Sequence, residues 1–149
     1  LFREPLLLAS PVDMDVAPRG DLAESDLSGL EVLAVDERHA LRREVERICK
    51  QTGAKLHRDY VGTRLDTLRQ MVVMGMGLAF LPALYVRSEI HRPEELRIQK
   101  LKGRALFREH ALLYRRHAPS RRFYGQLIDR IRDVIEAELS DTVTPLPAE

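Results

Sequence analysis

The spacing of apolar positions changes period several times along the chain, and each change predicts an element. From Thr63 to Pro82, Leu65, Leu68, Met71 and Val72 recur at the three-to-four-residue spacing of a helix face. Thr63 stands where an N-cap belongs and Asp66 follows three residues on, a capping-box pattern. Gly75 comes after the last apolar residue of the face, where a left-handed residue ends many helices. Leu78 to Leu81 then run apolar without alternation, as in a strand buried on both faces, and Pro82 closes the run. The same plan precedes this unit. Glu31 to Val35 reads as a strand, and Asp36 is placed to cap the helix after it. In that helix Leu41, Val45, Ile48 and Cys49 form one stripe, while Arg42, Arg43, Glu46, Arg47 and Lys50 point outward. Gly53 ends it, and Leu56 to Val61 is the next strand. Residues 31 to 82 therefore predict βαβαβ with a parallel sheet, whose crossovers are right-handed almost without exception.

The flanks are less regular. Leu6 to Ala9 is a strand candidate stopped by Pro11, and residues 11 to 29 form a loop with one helical turn at Leu22 to Ser25. After Pro82 the pattern gives a short helix over Ala83 to Glu89, then strands over Leu96 to Leu101 and Leu106 to Tyr114. The last helix runs from Arg121 to Leu139 on the stripe Phe123, Leu127, Ile128, Ile131, Val134, Ile135 and Leu139, a core or dimer-interface face. Residues 140 to 149, with two prolines, read as a flexible, frayed tail.

Composition narrows the class. With 44% hydrophobic and 32% charged residues and a net charge of +1, the chain is an ordinary soluble α/β sequence. No apolar run approaches the roughly 20 residues of a membrane span. The single cysteine, Cys49, excludes a disulfide within the chain and points to a reducing cytoplasm. Residues 1 to 40 carry nine acidic residues against three arginines, and residues 102 to 132 nine basic against two acidic. Such asymmetry marks either a nucleic-acid face or two solvated surfaces.

Candidate chemistry is sparse. There is no phosphate loop, no Gly-x-Ser-x-Gly and no metal-ligand spacing among His39, His57, His91, His110 and His117. Gly75-Met76-Gly77 precedes a strand and lacks a third glycine, so it is not a dinucleotide fingerprint. These absences point away from an enzyme and from a cofactor. What the chain offers is two helix starts at carboxyl ends of strands, Asp36 to Ala40 and Gly62 to Asp66, where open α/β sheets bind small ligands and free N–H groups favour anions.

Three segments carry a family resemblance. Thr63-x-Leu65-Asp66-Thr67-Leu68-Arg69-x-Met71-Val72 with Gly75-x-Gly77-Leu78-Ala79-Phe80-Leu81-Pro82-Ala83-Leu84 resembles the effector domain of LysR-type transcriptional regulators. Asp36 to Arg42 with Cys49, and Leu112 to Arg116, resemble their OxyR-like, peroxide-sensing branch. The resemblance runs from about Phe2 to Leu139. It implies a periplasmic-binding-protein-like fold of two α/β lobes. Residues 1 to 105 would be the complete second lobe with its hinge strands. Residues 106 to 139 would be the strand and helix that return to a first lobe only partly present. It also implies a homodimer or homotetramer and a small-molecule or oxidant effector. DNA binding would come only from an N-terminal helix-turn-helix outside this sequence.

One departure matters. In the branch, a peroxidatic cysteine follows the histidine that matches His39; here the position is Ala40, while the resolving position is kept as Cys49. An intramolecular disulfide switch of that type has no partner thiol. The alternatives are an engineered replacement and a divergent branch, such as the LsrB-like regulators of rhizobia and agrobacteria. The resemblance nominates Cys49, His39, Ala40, Arg42, Thr63, Arg64 and Arg108 as effector or redox-site candidates. Against this, Cys49 on an apolar stripe is equally an inert core thiol, and Thr63 and Arg64 are equally cap and solvated surface. Two other classes stay open: a lobe of a periplasmic-type solute-binding protein, and a nucleic-acid module using the basic stretch from Lys102 to Arg132.

Overall fold

A computed structural model describes residues 1–17, 22–92, 94–102, 106–115 and 117–147, with residues 59–62 described in backbone only. The strands are β1 (Phe2–Pro11), β2 (Glu31–Val35), β3 (Lys55–Gly62), β4 (Leu78–Pro82), β5 (Leu96–Gln99), β6 (Phe107–His110) and β7 (Thr144–Pro145). The helices are α1 (Ala40–Thr52), α2 (Leu65–Val73), α3 (Ala83–Glu89) and α4 (Arg121–Val134), the last continuing as one π-helical turn over Ile135–Leu139. The chain divides into two compact units, Leu6–Leu106 and Leu1–Pro5 with Phe107–Glu149.

The larger unit holds the expected βαβαβ core. Strands β2 and β3 run parallel, as do β2 and β4, in the order β3-β2-β4-β1-β5. All five residues of β4 are buried, as a strand flanked by β2 and β1 requires. Antiparallel β1 beyond β4, and β5 beyond it, complete a mixed sheet. Leu33, Val45, Ile48, Leu68, Val72 and Phe80 fill the core between strands and helices. The α2 exit follows its sequence signal: the Gly75 N–H bonds the Val72 carbonyl at 2.9 Å and the Met76 N–H bonds the Met71 carbonyl at 3.1 Å, with Gly75 at φ +76°. That is the double bond of a Schellman stop. Gly77 answers a different need. At φ +150° an added Cβ would stand 3.0 Å from the Glu31 carbonyl oxygen, so glycine lets the turn pass close to β2.

In the smaller unit, Phe2–Pro5 of β1 pairs antiparallel with β6, in the register Phe2↔His110 to Pro5↔Phe107. Strand β7 pairs with β1 at Phe2 and Arg3, and Val143 is buried. The stretch expected to fray thus contributes a short strand. Strand β1 begins four residues before the apolar run that predicted it, because Glu4 lies in phase with inward-facing Leu6 and Leu8. Strand β6 stops at His110, short of the predicted Tyr114, and the turn expected at Leu22 to Ser25 is a 3-10 turn over Glu24–Leu27. No helix among the described residues is long and apolar enough to cross a membrane.

Candidate effector site

Parallel neighbours β2 and β3 end side by side, with Val35 opposite Gly62. The loops that leave them start α1 and α2, so His39, Ala40, Thr63 and Arg64 all lie at one carboxyl edge of the larger unit. His39, Ala40, Thr63 and Arg64 are exposed. Neither helix start is capped as its sequence suggested. The N-cap of α1 is His39 and that of α2 is Arg64, both extended in backbone and without a side-chain cap bond. Thr63 is one residue too early for the role. Asp36 instead accepts the Arg38 N–H at 2.9 Å and the Arg38 Nε–H at 2.8 Å, and these bonds hold its carboxyl down at about 2. Asp66 accepts the Tyr85 hydroxyl at 2.7 Å. Burial, then Asp66, pushes that phenol up to about 12. With both acids occupied elsewhere, the first amides of α1 and α2 receive no N-cap side chain, which leaves this edge suited to an anionic or polar ligand.

Arg42 does not point outward. It is buried at 6% exposure, its Nε donating to Glu46 Oε1 at 2.7 Å and Nη1 to the Val35 carbonyl at 3.4 Å. Its charge is therefore spent tying α1 to the end of β2. Cys49, about two turns further on, is buried, and burial raises its thiol to about 11, with the nearby Arg42 charge opposing and Glu46 reinforcing the rise. At ~1.5 Å per residue, nine residues separate positions 40 and 49 by roughly 13 Å along the axis. His39 and Ala40, at the start of α1, and Cys49 are therefore distinct places along one helix.

Arg108 belongs to the smaller unit. Its Nε donates to Glu4 Oε2 at 2.6 Å, and His110 Nε2 lies 2.8 Å from the same oxygen. The His110 ring stacks on Phe2, centroids 4.4 Å apart. Glu4 was missed from the sequence; the signal was an acid sharing the alternation phase of Leu6 and Leu8. No cluster of three or more metal-ligating side chains occurs among the described residues.

Residues 1–136 match the LysR substrate binding domain family. The chain is 39% identical over 133 residues to a hydrogen peroxide-inducible genes activator of Pectobacterium carotovorum subsp. carotovorum, covering 89% of this chain and 44% of that protein. It is 36% identical over 132 residues to the DNA-binding transcriptional dual regulator OxyR of Escherichia coli K12, covering 89% and 43%. The chain thus spans less than half the length of these relatives. Among solved structures, the reduced form of OxyR superposes with a TM-score of 0.78 at 32% identity, over 93% of this chain and 64% of that one. The oxidised form gives 0.76 at 34% identity, over 93% and 65%.

Proposed function

The chain belongs to the LysR substrate-binding domain family, and we propose that it is the regulatory, effector-sensing part of a LysR-type transcription factor of the oxidative-stress response. The observation that carries this reading is identity of 36–39% across 89% of the chain with proteins named as OxyR or hydrogen peroxide-inducible gene activators. We read Leu6–Leu106 as the second lobe and the smaller unit as the part of the first lobe contained in this sequence. The protein acts by binding or modification and turns over no substrate. It works as a homodimer or homotetramer in the cytoplasm and reaches DNA through a helix-turn-helix outside this sequence.

Ala40 alters the sensing step. Within this sequence the thiol chemistry available is that of Cys49, and its burial means that oxidant reaches it after local opening of α1. The uncapped edge of α1 and α2 is the alternative input, for a polar effector. Each would bias the assembly between two arrangements. Transcript profiling of the host with and without an in-frame deletion, before and after hydrogen peroxide challenge, tests the reading. A set of transcripts should depend on both the gene and the oxidant; identical responses in the two strains sink it.

A further inference from the structure

Between α1 and the first half of β3 lies a groove of about 760 Å³, inside the roughly 300–1,000 Å³ typical of small-molecule sites. Arg42, Glu46, Cys49 and Lys50 of α1 line one side, and Lys55 and Arg58 of β3 the other. Strand β3 is the terminal strand of its sheet path, so no further strand among the described residues covers it. The groove begins at Glu37, beside the uncapped start of α1, and runs past Arg42 and Glu46 to the C-terminal half of the helix, where Cys49 is.

Its charge is unbalanced. The lining holds four cations, Arg42, Lys50, Lys55 and Arg58, against two carboxylates, Glu37 and Glu46. Glu46 is already paired with Arg42 at 2.7 Å. Lys50, Lys55 and Arg58 have no carboxylate within salt-bridge distance among the described residues. Among the described residues, three cations without an ion pair therefore stand on two elements around one concavity, against the single remaining carboxylate Glu37, with a buried thiol in its wall.

We propose that this groove binds a small organic polycarboxylate, its carboxylates on Lys50, Lys55 and Arg58 and its carbon body against Cys49. Two ammonium groups and one guanidinium fork, held apart on a helix and a strand, match several carboxylates spread over one small molecule better than one compact phosphate. A ligand seated there covers the thiol and adds negative charge beside Arg42 and Glu46, so occupancy is reported by Cys49 itself. The proposal stands on the groove and is independent of whether the chain senses oxidants.

The test uses this chain at low ionic strength with citrate as probe, read by titration calorimetry and by timed iodoacetamide labelling of Cys49. Saturable binding is expected. At citrate about ten times its dissociation constant, labelling should slow about tenfold, because only the free protein reacts. The Lys55→Glu/Arg58→Glu double variant, both positions exposed, should lose the binding and the protection while keeping the parent's circular dichroism. Arg43→Glu, exposed on α1 outside the groove, should keep both. No saturation by citrate, undiminished binding in the double variant, or labelling indifferent to citrate would each overturn the proposal. Inorganic phosphate binding as tightly as citrate would overturn the assigned ligand class.

Discussion

Glu4 and Arg108 face each other across β1 and β6, Nε to Oε2 at 2.6 Å, with the carboxylate at 0% exposure and the guanidinium at 39%. A carboxylate this buried requires partners, and Arg108 and His110 supply two from alternate positions of one strand. The pair sits in the register of β1 against β6 within the smaller unit.

Arg108→Ala should therefore destabilise the protein by about 1–3 kcal/mol, the cost of leaving a buried polar group short of a partner. The urea midpoint should fall with the slope unchanged. A midpoint equal to the parent's would show that His110 and the remaining partners of Glu4 suffice.

Cys49 should alkylate slowly at neutral pH and quickly in denaturant, because burial holds the thiol at about 11 against 9.0 for a free one. A raised pKa means the folded state favours the neutral thiol. That contribution is fully present below pH 9 and is lost as pH rises through 11. Labelling should accelerate over the same window. Folded-state labelling at the rate of free cysteine at neutral pH would contradict the burial and promote Cys49 to an accessible sensor.

Tyr85 should ionise near pH 12, two units above its usual value, because it is partly buried and donates to Asp66. Its stabilising contribution is complete below pH 10 and is lost as pH rises through 12. Phenolate absorbance during alkaline titration reads this directly. Asp66→Asn should bring the late phase to lower pH, and no change in that variant would assign the whole effect to burial.

Gly77→Ala should cost more than Gly75→Ala. Both glycines have positive φ, but a Cβ at Gly75 meets open space, whereas at Gly77 it meets the Glu31 carbonyl at 3.0 Å and Leu33 Cγ at 3.2 Å. Backbone strain alone is worth about 1–3 kcal/mol, and at Gly77 the clash adds to it. Thermal melting of the two variants decides, and equal losses would mean that β2 yields to the new methyl.

Helix α4 should drive self-association. Phe123, Leu127 and Val134 on its stripe are exposed, and no residue of α4 is fully buried. Light scattering at tens of micromolar should give a dimer or larger, and Phe123→Ser with Leu127→Ser should shift it toward monomer. A monomeric parent would count against the oligomeric regulator.

Local pattern determined much of this protein. The 3.6-residue spacing of Leu41, Val45 and Ile48 and of Leu65, Leu68 and Val72 specified two helices, and glycines specified where they stop. The unbroken apolar run at Leu78 to Leu81 specified a central strand. These signals are legible because periodicity states which face of an element leaves water. The family likeness was legible for the same reason, since it rests on the same contiguous segments.

Tertiary structure decided which partner each face meets. Nothing in the apolar run from Leu6 to Ala9 announces that Leu7 pairs antiparallel with Leu81 and Ala9 with Ile98, contacts that many intervening residues separate. Asp36 read as a cap and Asp66 as part of a capping box; Asp36 is taken instead by its near neighbour Arg38, and Asp66 by Tyr85, which only the fold brings close. Arg42 reads as surface and is buried, because Glu46 and the Val35 carbonyl satisfy it. Glu4 lies outside the strand predicted over Leu6 to Ala9 and is a buried ion-pair centre, because Arg108 and His110 arrive from about a hundred residues away. Burial of charge depends on partners, and distant partners exist only once the chain has folded.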